Sequence, residues 1–306
     1  MTTPGSAAPP PAPAAKRREQ IPLGILYMIG ATLLFAGGNA HSKWAVETYP
    51  PGEILFIRTL AGLATILLIV LPTKGLRVFH TRRIGAHAIR GVSQTTSQTL
   101  IVIAFSLMPL AGAMAINFAA PLFATLAAAV FLKEKVGLTR WAVLLLGFAG
   151  VLIITQPGAG SYTIGALFAL GNAILYGSVT AGVRGMTATE SAETLTVYQF
   201  LFMTALFACM LPFGFKLPTT IDTLAIMLNG VANAVGQYWW TRSLHLAPAS
   251  AVTPFYYFNL VWALILGFLI WGDVPTWSLL IGSATVVASG LFLLWWETSK
   301  RGRTTA

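Results

Sequence analysis

Charge is scarce in this sequence. Asp, Glu, Lys and Arg make up 9% of its 306 residues, where about 25% is usual for a soluble domain. With 56% of the chain hydrophobic, that little charge cannot keep a globule of this size in water. The one cysteine, Cys209, excludes an internal disulfide and a thiolate metal cage, and reads as a small core residue in an apolar segment. The four histidines share no metal-binding spacing, so no metal site is expected. All nine acidic residues fall in loops, in the tail or at the ends of apolar runs. An intramembrane enzyme would need paired carboxylates, or a nucleophile with its base, at membrane depth, so the expectation is not an enzyme. No GxxxxGKS or GxxxxGKT sequence is present to cradle a nucleotide triphosphate, and no cofactor is expected.

Apolar runs of about twenty residues, the length a helix needs to cross a bilayer, recur along nearly the whole chain. They suggest ten spans, near 22–44, 52–72, 86–107, 110–132, 138–156, 162–183, 194–214, 223–244, 249–271 and 277–296. None alternates as outer-membrane strands do, and lipid accepts only helices or closed barrels across its core. The expected fold class is therefore all-α integral membrane. Residues 1–21, rich in Pro and Ala, read as a disordered cytoplasmic tail, and 297–306 as a second short cytoplasmic tail. The run after the first tail is too long for a signal peptide.

A formal charge of +10 could suggest nucleic acid, but its distribution argues against that partner. With the N-terminus cytoplasmic, every Lys and Arg except Lys43, Arg58 and Lys216 falls on or beside the cytoplasmic ends of the spans. That is the positive-inside pattern, so the charge reports topology and contact with anionic lipid. Both termini are predicted to be cytoplasmic, in a bacterial-type inner membrane.

The chain also repeats itself. At an offset of 141, GILYMIGATLLFAGG from Gly24 overlays GALFALGNAILYGSV from Gly165. At an offset of 139, GVSQTTSQ from Gly91 overlays GVANAVGQ from Gly230, and LMPLAGA from Leu107 overlays LAPASAV from Leu246, pairing Pro109 with Pro248. Five spans per half is an odd number, so the second half must enter the membrane in the opposite sense. Residues 22–156 and 162–296 are thus predicted to be inverted five-helix repeats, an organisation typical of secondary transporters.

Taken with NFAAPLFATLAAAVFLKEKV at 117–136 and the glycine-bearing LLLGFAGVLIITQPG at 144–158, matched by IGSATVVASGLFLLW at 281–295, this organisation resembles the drug/metabolite transporter superfamily and its EamA-type members. The resemblance implies a central cavity between the halves and gradient-driven transport without ATP. Members of that family carry amino acids, vitamins such as riboflavin, S-adenosylmethionine, nucleosides and amphipathic drugs, with no substrate-binding signature that transfers by position.

Candidate cavity residues follow from the repeat. Gln94 and Gln98 are one helical turn apart and map onto Asn233 and Gln237, which could place two amide pairs on one cavity or merely glue helices together. Arg58 is the one basic residue well inside a span; it must face protein or water, either as an anchor for a substrate carboxylate or phosphate or in ion coupling, with Glu53 as its candidate partner, or else as a structural ion pair or a residue nearer the span end than drawn. Asn117 and its repeat equivalent Tyr256, with Tyr176, complete the substrate-binding candidates; Asn39, Asn172 and Asn259 are further buried polar groups. His41, Lys43, Glu47 and Glu53 read as interfacial polar residues. The expected function is inner-membrane transport of a small organic metabolite by alternating access, with protons as a candidate coupling ion. Amides beside Tyr and Trp favour an aromatic or heterocyclic cargo such as riboflavin or an aromatic amino acid. The alternatives are S-adenosylmethionine, nucleosides, other amino acids or drugs, or a non-transporting scaffold or receptor.

Overall fold

The computed structural model describes residues 20–120, 122–123, 126, 138–156, 163–186, 190–246 and 252–304. Among them are ten α-helices and no strand: α1 Ile21–Val46, α2 Pro51–Lys74, α3 Ile84–Leu107, α4 Leu110–Asn117, α5 Leu138–Thr155, α6 Thr163–Met186, α7 Ala192–Ala208, α8 Thr220–Leu246, α9 Phe258–Trp271 and α10 Trp277–Thr304. Short 3₁₀ turns occupy Gly75–Phe79, Leu211–Phe213 and Thr253–Tyr257. Three stretches, Ile21–Val46, Pro51–Phe79 and Glu193–Phe213, are each long and apolar enough to cross a membrane; Ile164–Val179, Phe255–Trp271 and Trp277–Phe292 are apolar but shorter.

Local chemistry sets the ends. Pro sits in the first turn of α1 and of α2, where the missing N–H is one the helix would leave unbonded anyway. Ser191 caps α7 by accepting the Thr194 N–H at 3.1 Å. Gly272, at φ 70°, ends α9 in the left-handed conformation that a side chain resists.

The molecule is apolar outside and holds its polar side chains within. Leu68, Ile89, Leu138, Leu228 and Leu269 are broadly exposed, whereas Ser42, Glu53 and Ser97 are at most 1% accessible. A bilayer gives the reason, since lipid solvates leucine and penalises an unpaired polar group.

Helix pairing is regular. α1 packs on α8 and α9, α3 on α6 and α7, α2 on α7 and α8, α4 on α6 and α9, and α5 on α10. Exchanging the first five helices with the last five turns α1–α8 into α6–α3, α1–α9 into α6–α4 and α2–α8 into α7–α3. The same exchange returns α2–α7, α4–α9 and α5–α10 to themselves. Glycines make the tightest approaches: a Cβ on Gly230 of α8 would strike the Arg58 carbonyl of α2. On Gly150 of α5 it would lie 2.9 Å from the Gly282 carbonyl of α10.

Two expected spans are interrupted. α4 stops at Asn117, and Phe118 and Ala119 form a turn. The sequence offers the reason, since a proline at 121 has no N–H to give the Asn117 carbonyl. The expected span from 249 is interrupted as well: Val252 is helical, Thr253–Tyr257 is a 3₁₀ turn with proline in its first positions, and α9 runs from Phe258. Tyr256 therefore lies in the 3₁₀ turn that precedes α9. Pro248 lies outside the described residues. At the C-terminus α10 continues to Thr304, so the expected tail from 297 is helical through that point.

Candidate functional site

Two polar clusters inside the bundle involve α3 and the candidate residues; a further pair on α3, where Arg90 donates to Gln199 Oε1 at 2.6 Å and to the Leu195 carbonyl at 2.9 Å, includes none of them. The first is built on Arg58, two turns into α2 and only 6% accessible. Its Nη2 donates to Gln98 Oε1 of α3 at 2.8 Å, and its Nη1 donates to Ser42 Oγ of α1 at 3.2 Å. Ser42 in turn donates to the Gly38 carbonyl at 2.8 Å and accepts from Asn229 Nδ2 of α8 at 3.3 Å. Asn229 also reaches the Gly38 carbonyl at 3.1 Å and His41 Nδ1 at 3.3 Å. Its Oδ1 and the Nε2 of His41 are buried without a partner.

This arrangement corrects the pairing of Arg58 with Glu53. Glu53 is fully buried, but its Oε2 accepts the Lys216 backbone N–H at 2.9 Å. The described partners of Arg58 are the neutral Ser42 and Gln98, so its charge rests there on neutral acceptors. A cation held that way attracts any acceptor or anion that reaches it, since neutral hydrogen bonds offset only part of its desolvation.

The second cluster surrounds the end of α4. Asn172 of α6 donates from Nδ2 to Asn117 Oδ1 at 2.7 Å and accepts from Ser97 Oγ of α3 at 2.7 Å. Phe118, in the turn, meets Tyr256 edge to face at 5.9 Å and Tyr257 at 5.2 Å between ring centroids. Tyr176, one helical turn beyond Asn172, keeps 39% of its surface accessible. Amides and aromatic rings thus converge where two helices begin or end, a place where backbone groups are not all consumed by helix bonds.

The remaining candidates stand apart. Gln94 is buried on α3, and Asn233 and Gln237 are partly exposed on α8. α3 and α8 do not pack extensively on one another; both pack on α1 and α2, which places their amides on separate walls. Of the four, Gln98 is the one whose described contacts include Arg58. Among the described residues no group of three His, Cys, Asp or Glu could hold a metal. A 190 Å³ apolar cavity bordered by Ala119, Phe123, Trp141 and Phe148 begins beside the α4 turn.

Several residues were missed or misread from sequence. Ser42, Ser97 and Asn229 gave no signal beyond being small polar residues in apolar runs. Lys43, expected at the interface, is 8% accessible; it donates to the Met108 carbonyl at 3.0 Å and sits 5.0 Å from the Trp271 ring centre. Near it Trp271 donates to Glu47 at 3.1 Å, and Tyr49 donates to Asp222 at 2.5 Å. That carboxylate pushes the Tyr49 hydroxyl above the ordinary phenol range. Cys209, expected in the core, is exposed just after α7.

Known proteins resemble the chain along nearly its full length. The model of the EamA-like transporter family matches it twice, over residues 22–156 and 163–295. The chain belongs to that family. A riboflavin transporter of Vibrio cholerae serotype O1 is 29% identical, over 92% of this chain and 95% of its own. The pseudopaline exporter CntI of Pseudomonas aeruginosa is 27% identical over 88% and 95%. An S-adenosylmethionine uptake transporter of Rickettsia bellii is 24% identical over 90% and 94%. A solved crystal structure shares the fold, with a TM-score of 0.62 and 22% identity over 87% of this chain. As an EamA-family protein the chain is a membrane-embedded transporter of a small molecule and not an enzyme.

Proposed function

We propose that this EamA-family transporter is a ten-span secondary carrier of inverted five-helix repeats, which binds its cargo between the α4 break and the 3₁₀ turn before α9. The observation that carries the reading is the position of those two interruptions. Asn117 closes α4 and Tyr256 lies in the turn before α9, and at the offset of 139 the two residues are repeat equivalents. Broken helices at equivalent places in two halves are a common basis of carrier sites, because they free backbone groups inside the membrane. The exchange relation among helix pairs and the double family match support the same reading.

The cargo is an aromatic or heterocyclic metabolite bearing hydrogen-bond acceptors, with riboflavin foremost. Tyr176, Tyr256 and Phe118 supply ring faces and edges, and Asn117 and Gln98 supply amides. Gln94, Asn233 and Gln237 serve as outlying wall residues. The protein sits in the inner membrane with both termini cytoplasmic, and protons are the proposed coupling ion.

Purified protein in liposomes, given radiolabelled riboflavin, S-adenosylmethionine, a nucleoside or an aromatic amino acid under a proton gradient, tests the reading. Riboflavin should accumulate above the level in empty liposomes, and alanine at Gln98, Gln237 or Tyr256 should cut the rate with expression intact. Uptake of S-adenosylmethionine alone would move the cargo to that alternative. No movement of any of the four compounds would sink the carrier reading.

A further inference from the structure

The Arg58–Gln98 contact has a direction that chemistry imposes. A guanidinium has five N–H donors and no acceptor, so a glutamine held against it must offer its carbonyl oxygen. The reverse orientation would set two donors face to face at 2.8 Å. With Oε1 committed to Arg58, both N–H bonds of Gln98 Nε2 point elsewhere.

Arg58 is itself unable to swivel. Its second prong rests on Ser42 Oγ, whose proton goes to the Gly38 carbonyl and whose other lone pair takes Asn229 Nδ2. Ser42 is fully buried and Arg58 nearly so, whereas Gln98 keeps accessible surface. The cluster is therefore a lever with a fixed base and a free tip, and the tip carries two donors.

We infer that Gln98 is a hydrogen-bond donor subsite, aimed by Arg58 as a positioning residue, that takes a carbonyl or carboxylate oxygen of the cargo. The inference rests on the carrier reading above and adds a chemical class to it. Imide carbonyls of a flavin or pyrimidine, or the carboxylate of an amino acid, satisfy the subsite; a group that only donates, such as a primary ammonium, meets N–H against N–H and is excluded. Preorganisation is the gain, since an amide already turned loses no orientation entropy when the ligand arrives.

The rival account is that Gln98 exists only to give the buried Arg58 an acceptor. Gln98→Glu separates the two. Glutamate has nearly the same shape and gives Arg58 a stronger, charge-assisted partner, but it has no N–H to offer. Riboflavin and S-adenosylmethionine are the probes, each read by equilibrium binding to purified protein, with thermal unfolding measured in parallel. The inference predicts an unchanged or raised Tm together with at least a tenfold weaker Kd for whichever probe the wild type binds. A Kd within twofold of wild type would overturn it.

Arg58→Gln is the second variant, and it keeps the question open to test if Gln98→Glu does not fold. A glutamine at 58 both donates and accepts, so it no longer dictates which way Gln98 faces. Affinity should fall three- to tenfold while the maximal transport rate changes less than twofold. Unchanged affinity there would also overturn the inference. If the wild type binds neither probe, the cargo reading fails together with this one. Wild-type binding with an indifferent Gln98→Glu removes the subsite alone.

Discussion

Arg58 and Asn172 do the same structural job by opposite means. Each ties α3 to other helices through two side-chain hydrogen bonds, Arg58 through Gln98 and Ser42, Asn172 through Ser97 and Asn117. A guanidinium only donates, so every partner of Arg58 has one permitted orientation. An asparagine donates and accepts, and a serine can do either. The Ser97–Asn172–Asn117 chain can therefore be turned over, oxygen for nitrogen, with its bonds kept. One cluster is fixed in its direction and the other is adaptable. A carrier has use for both, because cargo must be recognised and then released.

The largest expected effect comes from making the same chemical change in both clusters. Gln98→Glu places a carboxylate against Arg58, which compensates its charge, so stability should hold or rise. Asn117→Asp places one against a neutral amide, with no cation at hand among its described contacts. At membrane depth that costs about 2.5–3.5 kcal/mol on insertion scales. Reversible unfolding in mixed micelles measures both variants. Equal loss in the two would show that Arg58 is not short of a counter-charge, and the contrast between the clusters would vanish.

The contrast was only half legible in the sequence, and the reason is physical. Lipid forces each spanning segment to satisfy its own backbone, so apolar runs announced helices to within a few residues: 86–107 became Ile84–Leu107 and 138–156 became Leu138–Thr155. The break at Asn117 was hidden because hydropathy averages over a window, whereas the break depends on one absent N–H at Pro121. The Arg58–Glu53 pairing failed on helix geometry. Five residues turn about 500°, leaving the two side chains about 140° apart around α2. Ser42 and Asn229, 187 positions apart, are each an unremarkable residue in an apolar run. Their meaning is the contact between α1 and α8, which no local pattern carries. Gln98 was visible through the repeat, but its direction needed its partner.

A second, smaller comparison uses serine. Ser42→Ala removes an acceptor from a buried cation, and hydrogen bonds to charged groups contribute about 1.5–3 kcal/mol. Asn229 loses a partner as well, though its amino group retains the Gly38 carbonyl at 3.1 Å. A loss near the upper end of that range is expected, with riboflavin affinity falling because the base of the lever is loosened. A loss below 0.5 kcal/mol by unfolding would mean that water or lipid already serves the guanidinium, and the rigid-base argument would fail.

Ser97→Ala should do the least, although Ser97 is as buried as Ser42 and its bond to Asn172 is the shorter of the two, 2.7 Å against 3.2 Å. Distance alone would rank it higher. Charge reverses the ranking, since the Ser97–Asn172 bond joins two neutral groups and contributes about 0.5–1.5 kcal/mol. Turnover lowers it further: with Ser97 gone, Asn172 can face Asn117 with either its oxygen or its nitrogen, and Asn117 follows. The expected loss is below 1 kcal/mol, with transport close to wild type. A loss matching that of Ser42→Ala would show that the Asn172–Asn117 chain is as directional as the Arg58 cluster. The fixed and adaptable walls would then be one kind of wall, with the donor face of Gln98 no longer singular within it.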